Sequence, residues 1–322
     1  MKNHIQRAVG AGLLLAASAG AGASSGLGNP ATLARSALIP GLGETGLQAP
    51  GQTTWRLALD LSNEYVAEAT ADEGLLIDGE TSRLRIGFAH GLGTGLELTA
   101  ELPLLIQGGG WMDGPIEDWH RFFGLPNGGR EFAPRDRLRR LRTVDGRTVF
   151  EASRSAQGLG DLRLGLGYSR QPGRVWRAQL LLPTAEDRDL AGGSRGLALW
   201  LDQALPFSAG SGFSGALSLG GSWSRAEGPL AEDARESLAL LGVELGWQPS
   251  PRWRLSGELL AHSALYRGSA LAGLDRPGVP GGLFLARRLG EGGRWLRLGF
   301  QEDLATRSSP DFTLHLGLDL GP

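Results

Sequence analysis

The chain contains 322 residues, with 32 basic and 34 acidic side chains, a formal net charge of -2, 52 glycines and no cysteine. Without cysteine there is no disulfide, thiolate nucleophile or cysteine-bound metal, and the near-neutral charge gives no attraction for nucleic acid, so we expect no nucleic-acid partner. A mean hydropathy of -0.12 argues against a bundle of transmembrane helices. It does not argue against a transmembrane β-barrel, whose strands alternate apolar and polar residues.

The amino terminus has the three parts of a secretory signal. Lys2 and Arg7 give a basic start, an apolar run covers residues 8–17, and Ala21-Gly22-Ala23 provides the small residues that precede a cleavage site. The alternative is an uncleaved anchor helix, but the apolar run is well short of the about 20 residues needed to span a bilayer. The pattern predicts an exported protein, with a signal peptide over 1–23 and a single mature domain over 24–322.

The rest of the sequence repeatedly shows strict alternation, which is typical of strands with two different faces. In the first such segment Trp55 and Leu57 share an apolar face, while Arg56 and Asp60 share the opposite, charged face. The twelve predicted strands are Thr54–Ser62, Ser82–His90, Gly95–Leu104, Asp161–Ser169, Arg174–Leu182, Gly196–Gln203, Phe213–Ser224, Ser237–Trp247, Arg252–His262, Gly282–Arg288, Trp295–Leu304 and Phe312–Leu320. The sixth, tenth and eleventh have the least defined register.

The connections between these strands alternate largely between short and long. Gly91–Thr94 and Arg170–Gly173 are short, whereas Asn63–Thr81 and Leu105–Gly160 are long. In an antiparallel meander this rhythm puts short turns at one end and long loops at the other, as in outer-membrane barrels with periplasmic turns and extracellular loops. We therefore predict an all-β fold, a closed antiparallel transmembrane β-barrel of about 12 strands in the outer membrane, with one long extracellular loop containing a short helix.

Aromatic residues provide a separate test of the barrel. Six lie on the apolar face near the ends of strands that are joined by short turns: Trp55, Phe88, Tyr168, Trp176, Trp247 and Trp253. Such a row is typical of the aromatic girdle at a membrane interface. The alternative is a set of core aromatics in a soluble protein. Trp295 has the opposite parity to the girdle residues.

If the apolar face meets lipid, the charged face lines the lumen. It places Arg56, Asp60, Arg177 and His315 inside, together with a charge network of Arg83, Arg85, Glu97, Glu101, Arg163, Arg254, Glu258, Arg297, Asp303 and Asp319. A tight turn that opposes Leu84 with Leu98 also opposes Arg85 with Glu97, a favourable cross-strand pair. We expect ion pairs across the lumen, no strong ion selectivity, and a pore that is narrow or plugged.

The 105–160 segment is too long for a simple turn, and loops of this length tend to be functional or disordered. Ile116, Trp119, His120 and Phe123 recur at helical spacing. One interpretation is a helix that folds into or over the barrel mouth as a plug or lid; the other is an interfacial helix that packs the loop. The ligand or gating candidates are Trp111, Asp113, Glu117, Trp119, His120, Phe123 and Arg130.

Several short motifs cluster in the first half of the mature chain. They are Ile77-Asp78-Gly79-Glu80-Thr81, Glu101-Leu102-Pro103, Gly109-Gly110 with Asp113, Ile116-Glu117, Trp119-His120, Phe123-Gly124-Leu125-Pro126-Asn127-Gly128, Arg130 and Gly158-Leu159-Gly160-Asp161. With them the chain resembles a bacterial envelope family known only as a domain of unknown function. The resemblance implies an outer-membrane location but no substrate and no site residues. The last strand differs from those of most outer-membrane barrels, because the sequence after it ends at Pro322 without a terminal aromatic residue.

A basic stretch begins at the predicted helix, with arginines at 121, 130, 135, 137, 139, 140, 142 and 147. On an extracellular loop they would face the phosphates of lipopolysaccharide, for which guanidinium groups are suited. The alternative is an ordinary solvated loop surface. The expected partners are thus outer-membrane lipids, lipopolysaccharide and the outer-membrane assembly machinery, with the number of subunits left open.

No catalytic constellation stands out. Gly192-Gly193-Ser194-Arg195-Gly196 has the spacing of a nucleophile elbow but lies between two strands instead of before a helix. His120 with Asp113 and Glu117 is a weak metal pattern, so we expect no metal and no cofactor. The function predicted is passive passage or binding of a small solute or amphipathic molecule. The alternatives are a structural or surface-interaction barrel with a sealed lumen, or an outer-membrane lipid hydrolase.

Overall fold

A computed structural model of the chain describes residues 27–187, 190, 192–305 and 308–322. The predicted signal peptide over 1–23 lies outside these residues. The described strands are β1 Thr53–Ala69, β2 Glu73–Gly93, β3 Leu96–Gly108, β4 Arg139–Val144, β5 Arg147–Ala152, β6 Ala156–Leu159, β7 Leu162–Gln171, β8 Arg174–Leu182, β9 Arg195–Ala204, β10 Phe213–Arg225, β11 Ser237–Ser250, β12 Trp253–His262, β13 Pro280–Arg288, β14 Arg294–Asp303 and β15 Phe312–Leu320. The described helices are α1 Asp113–Phe123, α2 Ala272–Asp275 and the short 3-10 helices Thr32–Ala34 and Arg130–Phe132.

Twelve of the described strands close into one antiparallel barrel. They follow each other around the wall in chain order, from β1 to β3 and then from β7 to β15. The barrel closes at β1, where Trp55 lies opposite Phe88 of β2 and Leu320 of β15. The predicted closed barrel of about twelve strands is confirmed, and each of the twelve predicted segments overlaps one of these strands. Among the described residues, no helix is both long and apolar enough to cross a membrane.

Sequence alternation sets the two faces of the barrel wall. Asp60 points into the lumen and is only 2% exposed, whereas the outward Leu199 and Leu219 are 57% and 65% exposed. Leucines this exposed are expected on a barrel wall that faces lipid and are not expected on one that faces water. We call the end of the barrel with short turns, such as Arg170–Gly173, the turn end. The opposite end is the loop end.

The predicted aromatic girdle lies at the turn end. Trp55, Tyr168, Trp176, Trp247 and Trp253 are each at least 38% exposed on the outer face. Trp55 also contacts the Phe88 ring, with 5.5 Å between the ring centroids. Their height and orientation match the amphipathic side chains that mark a membrane interface.

The first hairpin is longer than the sequence suggested. Residues 63–81, expected to form a long loop, instead continue β1 and β2 as paired strands up to a tight turn over residues 70–72. The reason is that their alternation persists: Val66, Leu75 and Ile77 all point inward and are no more than 3% exposed. The barrel wall is therefore taller on this side.

The 105–160 segment adds further wall. Strands β4 and β5 form a hairpin that pairs with the upper part of β2, and β6 pairs with the end of β3. Arg142 of β4 fastens this hairpin, because its guanidinium lies 3.2 Å from the Glu73 carboxylate. The predicted short helix is present as α1.

One predicted register is wrong. Leu84 lies opposite Leu104 instead of Leu98, and Arg85 lies opposite Pro103 instead of Glu97. The strand β2 runs on through the glycine-rich stretch, and the turn forms at Thr94 and Gly95, where Gly95 adopts a φ of 79°. A turn placed later in the chain shifts every cross-strand pair of this hairpin.

Candidate functional site

The lumen is occupied by the chain itself. Residues 27–49, which we call the lumen segment, run inside the barrel and leave it at the turn end, just before β1 starts at Thr53. Wall side chains accept hydrogen bonds from its backbone N–H groups: Glu64 from Thr32 at 2.7 Å, Ser224 from Leu38 at 2.8 Å, Asp202 from Gly43 at 3.0 Å and Glu97 from Gln48 at 2.7 Å. These contacts span the lumen from the loop end to the turn end.

The composition of the lumen segment suits this position. Its charged residues are Arg35 and Glu44, so few charges have to be desolvated. Leu33 and Leu38 are 4% and 0% exposed, and they belong to a core that includes the inward Trp200 of β9. Buried backbone needs partners, and the carboxylates and hydroxyls of the wall provide them. The inner wall is thus polar where it meets backbone and apolar where it meets leucine.

Arg177 of β8 is the main clamp on the lumen segment. Its guanidinium donates to Glu97 at 2.9 Å and to Asp202 at 3.1 Å, and it lies 3.4 Å from the Glu44 carboxylate. It also donates to the backbone carbonyl oxygens of Glu44 at 3.0 Å and Gly46 at 2.8 Å. One buried cation therefore joins two wall strands to the segment, and charge-assisted hydrogen bonds of this kind are strong.

A second cluster is centred on Asp60 of β1. Its carboxylate accepts hydrogen bonds from Arg83 at 2.9 Å and Arg85 at 3.1 Å, and lies 2.7 Å from the His315 ring. Arg85 reaches Glu101 as well, at 3.5 Å. This cluster replaces the predicted pair of Arg85 with Glu97 and joins four neighbouring strands, β15, β1, β2 and β3, on the inner wall.

The other predicted lumen charges also line the inner wall. Arg254 forms an ion pair with Glu244, Glu258 accepts the Leu27 N–H at 3.1 Å, and Arg163 donates to the Ile39 carbonyl at 3.2 Å. Arg297 lies 6.0 Å from the centre of the Phe284 ring, Asp303 lies opposite Pro280, and Asp319 lies opposite Arg56. Several of these residues therefore hold the lumen segment instead of pairing only with each other.

Two of the cavities beside the lumen segment lie towards opposite ends of the barrel. The upper cavity, at the loop end, has a volume of about 630 Å³. It is lined by Leu33, Arg35, Leu138, Arg140, Phe150, Glu151, Arg154, Asp187, Glu227, Leu230 and Tyr266, among others. The lower cavity, of about 120 Å³, lies between residues 41–44 and the wall. The segment thus separates a large mouth from a small inner chamber.

Helix α1 lies outside the barrel. Met112 and Ile116 pack with the outward-facing Phe312. The Trp119 ring lies 5.7 Å from Phe300 and donates its indole N–H to Glu302 at 3.1 Å. These partners belong to the outer faces of β14 and β15 near the loop end, so the helix packs against the outer surface of the barrel wall.

The remaining gating candidates belong to the same outer assembly. Arg130, 3% exposed, donates to Asn63 and Asp311 at 2.6 Å each. Asp113 accepts the Asn63 amide N–H at 2.9 Å, Glu117 pairs with Arg135, and His120 contacts Asn127 at 3.1 Å. Trp111 donates its backbone N–H to the Glu80 carboxylate at 2.9 Å. Phe123 packs on Trp119, with 4.4 Å between the ring centroids.

The structure thus places these seven residues on the outside of the barrel wall and does not bring them into the lumen. Their role in gating or ligand binding stays a prediction, as does the role of the 105–160 segment as a plug or lid. The apolar side chains of α1 pack on an apolar part of the outer wall that includes Leu61 and Phe312. Helical spacing alone does not say on which side of a barrel wall a helix packs. The interpretation as a helix that packs the loop against the barrel is the one that the structure supports.

A family model described as "Protein of unknown function (DUF3187)" matches residues 25–321. The chain belongs to the DUF3187 family. The resemblance to an envelope family of unknown function is confirmed. Comparison with curated proteins finds no match.

Among solved structures, the COG4313 outer membrane channel from Pseudomonas putida F1 is similar to the DUF3187 chain with a TM-score of 0.55 and 15% identity. The likeness covers 89% of this chain and 100% of that one. The KdgM porin has a TM-score of 0.42 and 8% identity over 83% and 97% of the two chains. The toluene transporter TbuX from Ralstonia pickettii has a TM-score of 0.39 and 10% identity over 93% and 94%. At these identities the first likeness shows the outer-membrane barrel fold and nothing finer.

The sequence interpretation missed the lumen segment of the DUF3187 chain, and with it Arg35, Glu44 and Asp202. The sequence does contain a feature that indicates the lumen segment. About thirty residues separate the predicted cleavage site from the first strand, and they contain leucines but few charges. A linker in water would be more polar.

Proposed function

We propose that the DUF3187 barrel is an outer-membrane channel for a small amphipathic solute and that its lumen segment is the gate. The observation that carries this proposal is the position of residues 27–49 between an open mouth and an inner chamber. The similar fold of a protein described as an outer membrane channel supports a passage role. Passage requires the lumen segment to move, because it runs through the lumen and packs against the inner wall.

The lining of the upper cavity indicates the class of solute. Its volume of about 630 Å³ falls within the range of small-molecule sites, roughly 300–1,000 Å³. Leu33, Leu138, Phe150 and Leu230 provide apolar surface, while three arginines are matched by three acidic residues, Glu151, Asp187 and Glu227. A neutral or zwitterionic amphipathic molecule fits this lining better than a strongly charged one.

A reversible covalent lock tests the gate directly. A Cβ at Gly242 of β11 would lie 2.9 Å from the Leu42 Cβ in the lumen segment, so a small shift reaches the about 3.5–4.5 Å separation of a disulfide. The chain has no cysteine of its own, which makes the Leu42→Cys/Gly242→Cys pair unique. In planar bilayers we expect the oxidised double variant to be closed and to regain wild-type conductance after reduction.

The two single-cysteine variants are the controls and should not respond to reductant. An oxidised double variant that conducts like the wild type, with the crosslink verified on a gel, would overturn the gate. If the wild type never conducts, the alternative of a structural barrel with a sealed lumen gains support instead.

We also propose that outer-membrane lipids contact α1. Phe122 of α1 and Phe132 of the following 3-10 helix are 82% and 88% exposed, and α1 itself packs on the outer wall at Phe300 and Phe312. Side chains of this kind are favourable at the boundary between headgroups and acyl chains. The basic side chains near them are largely engaged within the loop: Arg135 pairs with Glu117 and Arg137 with Asp78. Contact with acyl chains is therefore better supported than recognition of lipopolysaccharide phosphates.

A further inference from the structure

The lower cavity has an unusual lining. It measures about 120 Å³ and lies inside the barrel, between residues 41–44 of the lumen segment and the wall near the turn end. The charged side chains that line it are Arg56, Arg85, Arg163, Arg177, Arg297, Glu44, Glu101 and Asp319, and His315 lines it as well. Five guanidinium groups and three carboxylates thus line the cavity, and Asp60, Glu97 and Asp202 are further partners of Arg85 and Arg177.

The five arginines are not equally neutralised. Arg56 lies 2.7 Å from Glu44, and Arg85 and Arg177 are held by the carboxylates described above. Arg163 and Arg297 differ, because among the residues that the structure describes neither lies within 4.0 Å of a carboxylate oxygen. Arg163 donates to a backbone carbonyl, and Arg297 lies over the Phe284 ring.

Burial makes the lack of a direct acceptor significant. Arg297 is only 5% exposed. Glu44 and Glu244 act on it electrostatically, but neither accepts a hydrogen bond from its guanidinium group, and buried donors without an acceptor are unfavourable. A guanidinium group presents paired N–H donors that match the oxygens of an oxyanion. The cavity has room for one, since its volume of about 120 Å³ is well above the roughly 10–15 Å³ that one water molecule needs by the same measure.

We propose that the lower cavity binds one small oxyanion, such as inorganic phosphate, sulfate or a short carboxylate, through Arg163 and Arg297. The bound anion accepts hydrogen bonds from guanidinium N–H groups that the wall and the lumen segment leave without a carboxylate partner. Binding does not require passage, so the site would exist in a sealed barrel as well, and the proposal stands apart from the channel function. Because the cavity is small, at about 120 Å³, we expect it to favour small anions over larger ones.

Phosphate titration of the intact, folded protein in detergent tests this site. Ligand that binds only the folded state raises the unfolding temperature, which heat-modifiable gel mobility reports for a barrel. We expect sodium phosphate to stabilise the wild type more than sodium gluconate, a larger anion, at the same ionic strength. Arg297→Gln should weaken phosphate binding at least tenfold, while Arg174→Gln should leave it unchanged, because Arg174 is exposed, donates to Gln203 and does not line the cavity.

Equal stabilisation of the wild type by both salts, or equal phosphate affinity in the Arg297→Gln and wild-type proteins, would overturn the proposal. Should Arg297→Gln fail to fold, Arg163→Gln tests the same cavity from β7. Phosphorus NMR of phosphate with the wild type gives a readout that needs no variant: line broadening that excess sulfate reverses supports the site, and its absence refutes it.

Discussion

Arg177 shows how a single residue can join the wall to the lumen segment. Its side chain is 6% exposed, and the Glu97 and Asp202 side chains that it bridges are 1% and 0% exposed. Removing one partner from a buried ion pair typically costs about 3–5 kcal/mol, because the other charge stays buried without compensation. The arginine therefore contributes to stability and to closure at the same time.

We expect Arg177→Gln to lower the temperature at which the barrel unfolds and to raise the fraction of time that it conducts, because the lumen segment loses its main clamp. Heat-modifiable gel mobility measures the first effect and planar-bilayer recording the second. Arg174→Gln is the matched control on the same strand, since Arg174 is exposed and bonds only Gln203 in the described structure. Wild-type conductance in the Arg177→Gln protein would contradict the clamp.

At the level of single residues, sequence alternation predicted orientation well and partners poorly. Parity alone put Arg85, Glu97 and Asp60 on the inner face, where they lie. It did not predict that Arg85 pairs with Asp60, because cross-strand partners depend on where a turn closes, and the glycines before Thr94 allowed several positions. Strand alternation also could not predict ion-pair partners that come from the lumen segment, such as Glu44, because the segment is not a strand.

At the scale of elements, α1 illustrates the same limit. Helical spacing of Ile116, Trp119 and Phe123 predicted the helix correctly, yet both faces of a barrel wall offer apolar surface, and spacing does not choose between them. The choice follows from the strand residues that the helix meets. Phe300 and Phe312 have outward parity, so the helix lies on the lipid side.

This position leads to a measurable expectation for α1. A spin label at Phe122→Cys, in a chain with no other cysteine, should be more accessible to oxygen than to a water-soluble relaxation agent in lipid vesicles, because the site dips into the bilayer boundary. The label at Arg147→Cys, an exposed site at the tip of the β4–β5 hairpin, should show the reverse. Identical accessibility at the two sites would place α1 in water.

At the scale of the whole molecule, the barrel and its lumen segment form one hydrophobic core. The largest cluster of buried residues combines Leu33, Leu38 and Leu42 of the segment with inward residues of the wall such as Trp200 and Leu240. The wall itself, however, is complete without the segment, since every barrel strand from β1 to β15 is hydrogen-bonded to two neighbours. Closure of the sheet and filling of the lumen are therefore separable.

Deleting residues 29–44 tests that separation. We expect the variant still to form a closed, heat-modifiable barrel, because β1 and β15 remain paired, but to unfold at a lower temperature, because the buried leucines of the lumen segment are lost. Its conductance in planar bilayers should be higher and steadier than that of the wild type, since nothing then spans the lumen. An equal-length deletion in the exposed part of the 105–160 segment, outside the barrel strands, is the control and should leave conductance unchanged. A folded 29–44 deletion variant with wild-type conductance would mean that another part of the chain closes the pore.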